Sequence, residues 1–190
     1  MQIKKEKALL RKRARALRSS VEKRELLSGK IAERLFSLET YLSCGSVFAY
    51  YSYGSEVETR LIIEKALSDE KKVALPRCEA DGKMSFRFFK SFSELEDGLF
   101  KGILEPKEKS ERAEADEKTL LIVPALAFGK DKTRLGHGMG YYDRFLSGFN
   151  GTSAGLCFEK CLFETLPQEE TDRTVSLVVT ENRVISGQNH

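Results

Sequence analysis

Residues 120–144 read LLIVPALAFGKDKTRLGHGMGYYDR, in which an apolar run leads through a glycine-bearing loop. The run at 120–125 predicts a buried strand, and a short helix is expected to begin near Tyr141. A buried strand that passes through a loop into a helix is the repeating unit of an α/β domain with a parallel sheet.

The rest of the chain alternates strand and helix signals in the same way. Further β-prone apolar runs occur at 47–51, 71–76, 85–89, 154–158 and 174–180. Pro76 is expected to end the second of these strands. One helix is predicted at 59–67, and another after a capping box at 19–22. The second helix has an apolar stripe of Leu27, Ile31, Leu35 and Leu38. The polar segment 106–118 is expected to be a surface loop or a short exposed helix.

Length and composition limit the class of protein. A chain of 190 residues fits a single domain, 1–190, and its 41% hydrophobic and 32% charged residues are typical of a soluble globular protein. No apolar run approaches the roughly 20 residues that span a bilayer, and the basic N-terminus lacks the apolar core of a secretory signal. We expect a cytoplasmic protein that binds no membrane, and a monomer, with a weak dimer as the alternative.

The cysteines do not form a metal-binding or catalytic pattern. Cys44, Cys78, Cys157 and Cys161 include no CxxC pair and no zinc-ligand spacing, and the chain has two histidines. Reduced thiols that are partly buried as small apolar groups are therefore expected.

The first 18 residues form a basic arm. Eight lysines and arginines occur in 4–18 against one acid, Glu6. Apolar residues recur there at helical spacing, namely Leu9, Leu10, Ala14 and Leu17. This predicts an amphipathic helix docked on the domain. Its basic face could bind nucleic acid, remain solvated, or cover a phosphate-bearing ligand.

The loop that precedes the helix expected near Tyr141 has three glycines at alternate positions, Gly136, Gly138 and Gly140. Glycines allow the backbone to approach a ligand closely, and consecutive N–H groups can converge on an anion. Arg134 and Arg144 bracket the loop with guanidinium groups suited to phosphate oxygens. The spacing is neither GxxxxGK[ST] nor GxGxxG. A phosphate-binding turn is favoured over a tight connection that merely needs small residues.

The loop resembles the signature of the 5-formyltetrahydrofolate cyclo-ligase family, usually written RLGxGxGYYDxxL, which reads RLGHGMGYYDRFL at 134–146 here. Other family landmarks follow in order at 7–11, 55–59, 75–77, 102–106, 155–159, 166–167, 172 and 179–181. The resemblance therefore covers nearly the whole chain. The sequence departs from residues that the family often has at Ala125, Gly129, Cys161 and Ser176.

The resemblance implies an α/β, three-layer single domain with a mainly parallel sheet. This fold is similar to that of sugar-phosphate isomerases and CoA transferases (NagB/RpiA/CoA-transferase-like), with 1–18 as a helical arm at the ATP site. It also implies an ATP- and Mg²⁺-dependent reaction that converts 5-formyltetrahydrofolate to 5,10-methenyltetrahydrofolate, with release of ADP and phosphate. The formyl oxygen would be phosphorylated, and N10 would close the ring. Small-molecule substrates and no nucleic acid are implied.

The resemblance also implies roles for individual residues. The catalytic residues are Arg134 and Tyr142. The ATP-binding residues are Lys7, Arg11, Arg134, Leu135, Gly136, His137, Gly138, Met139, Gly140, Tyr141 and Tyr142. The folate-binding residues are Tyr51, Glu56, His137, Gly138, Met139, Gly140 and Tyr141. The Mg²⁺ ligands are Asp143 and Asp172, whose carboxylates suit this hard ion. A carboxylate such as Glu56 can accept hydrogen bonds from pterin N–H groups, and His137 is an open candidate for proton transfer.

Two other classes of function remain open. A related α/β fold can carry a sugar-phosphate isomerase or a CoA-using enzyme, because fold alone does not determine function. An isomerase would need an acid–base pair but neither ATP nor Mg²⁺. A nucleic-acid-binding protein acting through 4–18 would leave the glycine loop without a role.

Overall fold

The computed structural model of the protein describes residues 2–79, 83–100 and 102–187. The helices are α1 (Gln2–Ser19), α2 (Arg24–Phe36), α3 (Glu39–Leu42), α4 (Arg60–Ser68) and α5 (Tyr141–Leu146). The first seven strands are β1 (Ser46–Phe48), β2 (Lys72–Cys78), β3 (Met84–Phe88), β4 (Leu95–Asp97), β5 (Leu104–Pro106), β6 (Arg112–Ala113) and β7 (Thr119–Val123). The remaining strands are β8 (Ala127–Gly129), β9 (Arg134–Leu135), β10 (Thr152–Leu156), β11 (Leu162–Phe163), β12 (Leu177–Val179) and β13 (Val184–Ile185).

The main sheet has eight strands in the order β13-β12-β10-β7-β1-β2-β3-β6. The five central strands, from β12 to β2, pair in parallel. The flanking strands β13, β3 and β6 pair antiparallel. The predicted α/β class with a mainly parallel central sheet is therefore confirmed.

Side chains of the central strands alternate between two buried layers, as the period of a strand requires. Leu120 and Ile122 of β7 belong to a cluster that includes residues of α2, α3 and α4. Leu121 and Val123 belong to a second cluster, against which residues of α5 pack. Helices on both faces shield the parallel strands from water.

Helix α1 lies on a small sheet of order β11-β8-β9. Ala14 is fully buried against this sheet, with Leu10 partly buried beside it. Leu9 is 71% exposed, so the prediction that it belongs to the docking stripe was wrong. The buried residues of α1 are Lys7, Ala14 and Arg18. The inward face of the helix is therefore charged at both ends.

Two local predictions were also wrong. Helix α1 continues to Ser19, and Ser20 Oγ donates to the Leu17 carbonyl, so no capping box forms at 19–22. Instead, Lys23 precedes α2 in a left-handed conformation without a side-chain cap. Pro76 lies inside β2, which pairs with β1 only as far as Ala74. A residue that lacks an N–H is tolerated where a strand has lost one neighbour. The segment 106–118 is mostly an exposed loop, as predicted, with the two-residue strand β6 inside it and no helix.

Within the described ranges, no helix has both the length and the apolar character needed to cross a membrane.

Gly155 should be sensitive to substitution because a methyl group at this position would overlap the ring of Phe128, which is fully buried. We expect Gly155→Ala to lower the free energy of unfolding by about 1–3 kcal/mol, the usual cost of overpacking a core. Urea denaturation monitored by circular dichroism measures this change.

Gly29→Ala is the matched control, because Gly29 lies in α2 and an added Cβ there meets no atom within 4 Å. We expect it to raise the free energy of unfolding by about 0.5–1 kcal/mol, the helix-propensity difference between the two residues. Equal effects of the two substitutions would contradict the packing described around Phe128.

Candidate active site

A cavity of about 950 Å³ lies at the carboxyl ends of β1, β2 and β7. These strands are parallel neighbours, so their ends meet at one edge of the sheet. Tyr50, Pro124 and Cys78 lie at or just beyond these ends and line the cavity. Ligands of open α/β sheets commonly bind in such a crevice.

The glycine loop forms one wall of this cavity. Gly138 has φ 103° and Gly140 has φ 71°. These values lie in the region that side chains with a Cβ rarely adopt. Gly140 immediately precedes α5 and turns the chain into that helix. The glycines at these two positions are therefore needed for the shape of the loop itself.

The basic side of α1 faces the glycine loop. Arg11 Nε donates to the Gly136 carbonyl at 3.0 Å. The Lys7 side chain is 4% exposed and forms ion pairs with Asp172 and, at 3.0 Å, with Glu169. Lys7 and Arg11 are one helical turn apart, which places both on the same face. The arm predicted at 1–18 thus contributes cations to the cavity wall.

Asp143, at the start of α5, also faces a cation. Its Oδ2 accepts from Arg134 Nη2 at 2.6 Å, and its Oδ1 accepts from the Arg173 backbone N–H at 3.3 Å. Because Asp172 precedes Arg173 in the chain, the loop around Arg173 brings the two predicted metal ligands to the same wall.

Whether this wall could hold Mg²⁺ depends on the donor groups that it offers. No group of three or more His, Cys, Asp and Glu side chains converges in the parts of the chain that the structure describes. The predicted ligands Asp143 and Asp172 supply two carboxylates to this part of the wall. This donor set suits Mg²⁺, which is usually held by one or two carboxylates together with water and substrate phosphates.

Glu56 occupies another part of the wall, in the loop after β1. Its Oε2 accepts from the Tyr53 backbone N–H at 2.9 Å. Its Oε1 lies 3.6 Å from His137 Nε2 and 3.9 Å from Arg18 Nη1. Tyr51 lies in the same loop and lines the cavity, with its ring 6.0 Å from that of Phe92. A carboxylate and an aromatic ring are therefore both available to a flat ligand.

Tyr142 carries a buried hydroxyl that has no hydrogen-bond partner among the described residues. Burial raises the pKa of Tyr142 well above its ordinary value, so the hydroxyl stays protonated. The Arg134 guanidinium lies 5.7 Å from the ring centroid. An unpaired buried hydroxyl is costly, and a polar ligand in the cavity would supply the missing partner.

The remaining wall combines apolar side chains with Glu105 and Cys78. Glu105 is 2% exposed, and burial raises the pKa of its carboxyl group. Burial, reinforced by Glu105, raises the pKa of Cys78 to about 12. Cys44, Cys157 and Cys161 are also free thiols whose pKa values are raised by burial. The four cysteines are thus free and at least partly buried, as expected.

The structure brings all but one of the predicted site residues to this cavity. Those lining it are Lys7, Arg11, Tyr51, Glu56, Arg134, Gly136, His137, Gly138, Met139, Gly140, Tyr141, Tyr142, Asp143 and Asp172. Leu135 does not line it, because its side chain packs with Ala14 in the cluster under α1. The assignment of Leu135 to ATP binding stays a prediction, although its side chain does not reach the cavity.

Sequence reasoning missed several lining residues, among them the buried Arg18 and Glu105 and the partly buried Cys78. Arg18 could have been found, because Lys7, Arg11, Ala14 and Arg18 follow a single helical face. No local pattern marks Cys78 or Glu105, since they come together only through the fold.

The family model and the relatives compared with this chain all point to one family. A model of the 5-formyltetrahydrofolate cyclo-ligase family matches residues 3–181. The chain is 30% identical over 182 residues to the 5-formyltetrahydrofolate cyclo-ligase of Escherichia coli K12, a match that covers 93% of this chain and 98% of the relative. It is 29% identical over 172 residues to a probable 5-formyltetrahydrofolate cyclo-ligase of Schizosaccharomyces pombe, with 82% and 84% covered.

Solved structures agree with this assignment. The 5,10-methenyltetrahydrofolate synthetase of Aquifex aeolicus matches with a TM-score of 0.84 and 32% identity over 97% of this chain and 95% of that one. The Mycoplasma pneumoniae 5,10-methenyltetrahydrofolate synthetase shares the fold, with a TM-score of 0.73 and 20% identity over 92% and 98% of the two chains. Because the family model and these relatives cover most of its length, the chain belongs to the 5-formyltetrahydrofolate cyclo-ligase family, whose members are enzymes of the ligase class.

Proposed function

We propose that the protein uses ATP and Mg²⁺ to convert 5-formyltetrahydrofolate to 5,10-methenyltetrahydrofolate, releasing ADP and phosphate. One observation carries the proposal: a single cavity holds Lys7, Arg11 and Arg134 on one part of its wall and Glu56 with Tyr51 on another. Cations suit a nucleotide's phosphates, and an acid beside an aromatic ring suits a pterin. The proposal includes a single domain over 1–190 that acts as a cytoplasmic monomer without nucleic acid.

The chemistry explains why ATP is needed. A formamide carbon is a poor electrophile, and its oxygen is a poor leaving group. Transfer of the γ-phosphoryl group to the formyl oxygen removes both obstacles. N10 of the same folate then attacks the formyl carbon, the C–O bond breaks as phosphate leaves, and N10 loses its proton. Ring closure within one bound molecule needs orientation rather than a protein nucleophile, in keeping with the protonated thiols described above.

In this proposal the cations of the cavity wall hold the phosphates. Arg11 contacts the glycine loop at Gly136, and Lys7 and Arg134 line the same cavity from α1 and β9. Phosphoryl transfer depends mainly on positioning and on stabilising charge. Because helix α5 has only six residues, we assign most of this charge stabilisation to the cationic side chains and not to the N-terminus of the helix. Lys7 pairs with Asp172, and Arg134 pairs with Asp143. Phosphate oxygens would replace the two carboxylates as partners of these cations. The carboxylates would then be available to bind the magnesium ion.

Asp143 and Asp172 would then hold the magnesium ion. Bound there, Mg²⁺ would neutralise phosphate charge during transfer. Tyr142 would donate its hydroxyl proton in a hydrogen bond to a substrate oxygen, because its raised pKa keeps it protonated. Glu56 would accept hydrogen bonds from the pterin ring, with Tyr51 and Tyr141 beside it and His137 within 3.6 Å of Glu56 Oε1.

The first test is the reaction itself. We expect purified protein to form 5,10-methenyltetrahydrofolate, measured by its absorbance, only when 5-formyltetrahydrofolate, ATP and Mg²⁺ are all present. Omitting ATP or chelating Mg²⁺ should abolish product formation. Product formed at the same rate without nucleotide, or no product under any condition, would refute the proposal.

The second test concerns the Arg134–Asp143 pair. We expect Arg134→Ala and Asp143→Asn each to lower kcat by about 10²–10³, the usual effect of removing a group that stabilises charge in the transition state. Lys130→Ala is the control, because Lys130 is an exposed cation paired with Glu164 and should retain wild-type kcat. Circular dichroism checks that the variants fold, and wild-type kcat in both site variants would contradict the assignment.

The third test separates the ATP side from the folate side. We expect Arg11→Met to raise KM for ATP by about tenfold, because it removes a charge-assisted contact, with KM for 5-formyltetrahydrofolate nearly unchanged. Lys12→Met removes the neighbouring, exposed cation and should leave both values unchanged. Steady-state kinetics with one substrate varied at a time gives the comparison, and equal effects of the two substitutions would exclude a specific role for Arg11.

A further inference from the structure

Arg18 is a buried cation that the proposed chemistry leaves without a role. It lies in the last turn of α1 and is 9% exposed. Burying a guanidinium group is costly unless hydrogen bonds and opposite charge compensate for it. Its contacts therefore indicate what the side chain does.

Those contacts join two loops at the cavity. Arg18 Nε donates to Ser55 Oγ at 3.0 Å, and Nη1 donates to the Ala125 carbonyl at 3.1 Å. Nη1 also lies 3.9 Å from Glu56 Oε1. Ser55 and Glu56 follow β1, whereas Ala125 follows β7, and these two strands are neighbours in the sheet. One guanidinium group thus fixes the spacing between both loops.

The Glu56 side chain is held on several sides as a result. The Tyr53 backbone N–H donates to Oε2, while Arg18 and His137 approach Oε1. Of these groups, Arg18 is the one that also holds the adjacent residue, Ser55, and the loop after β7. The planar guanidinium has several donors in a fixed arrangement, which a lysine cannot reproduce.

We infer that Arg18 is a positioning residue that orients Glu56 for the pterin ring and so sets the affinity for the folate substrate. This inference rests on the proposed function, since it takes Glu56 as the group that accepts hydrogen bonds from the pterin. Arg18 acts through Glu56 and not through the phosphates, although it lies on the same helix face as Lys7 and Arg11.

The test measures binding of 5-formyltetrahydrofolate by calorimetry and the KM for each substrate. We expect Arg18→Met to weaken folate binding and raise its KM by about tenfold or more, a typical effect of misplacing a binding group. KM for ATP should change by less than about twofold on the same reasoning. Arg18→Lys should keep the charge but recover only part of the affinity.

Three comparisons separate positioning from general stability. Arg15→Met removes an exposed cation from α1 and should bind folate as the wild type does. In a Glu56→Gln background, adding Arg18→Met should weaken folate binding by much less than it does alone, because the two residues act as a unit. Thermal unfolding of each variant shows whether Arg18→Met folds. If it does not fold, Arg18→Lys replaces it in the binding and kinetic measurements.

Each outcome bears on the inference. Unchanged folate affinity in Arg18→Met, equal increases in both KM values, or full additivity with Glu56→Gln would overturn it and leave the proposed function intact. A wild-type protein that binds no 5-formyltetrahydrofolate would overturn the proposed function and this inference together.

Discussion

The burial of charge along α1 is the constraint on which the rest of the site depends. Lys7 and Arg18 lie on the inward face of this helix, with Ala14 between them in contact with the small sheet. Each buried cation needs partners, and those partners lie on the loops that line the cavity. Docking the helix by Ala14 thus brings its cations to the carboxyl ends of the parallel strands. The same contacts that compensate for burial also build the cavity wall.

The fold could be predicted from sequence where hydrophobic periodicity was strong. The apolar run around Ile122 and the helix at Arg60–Ser68 were identified because burial on both faces, or on one stripe, leaves a clear pattern. The short strands β8, β9 and β11 have too few residues for a period to be recognised. Pro76 misled the prediction because the effect of a proline depends on which neighbouring strands are present, and this is a tertiary property.

The candidate site was predictable to the extent that its residues lie in one motif or match the family pattern. The glycine loop and Asp143 follow one another in sequence, so spacing alone brings them together. Glu105 and Cys78 have no such signal, because their proximity arises from β2 and the hairpin β4–β5. Leu135 differs from its neighbour because alternate residues of a strand face opposite sides: Arg134 reaches the cavity, while the Leu135 side chain packs under α1.

The outermost strands of the main sheet, β13 and β6, are each two residues long. An outer strand offers unpaired amide and carbonyl groups to other molecules in proportion to its length. Two such short strands give another chain little to extend by intermolecular strand addition. The two outer strands of the eight-stranded sheet are therefore poor templates for the strand addition that leads to aggregation.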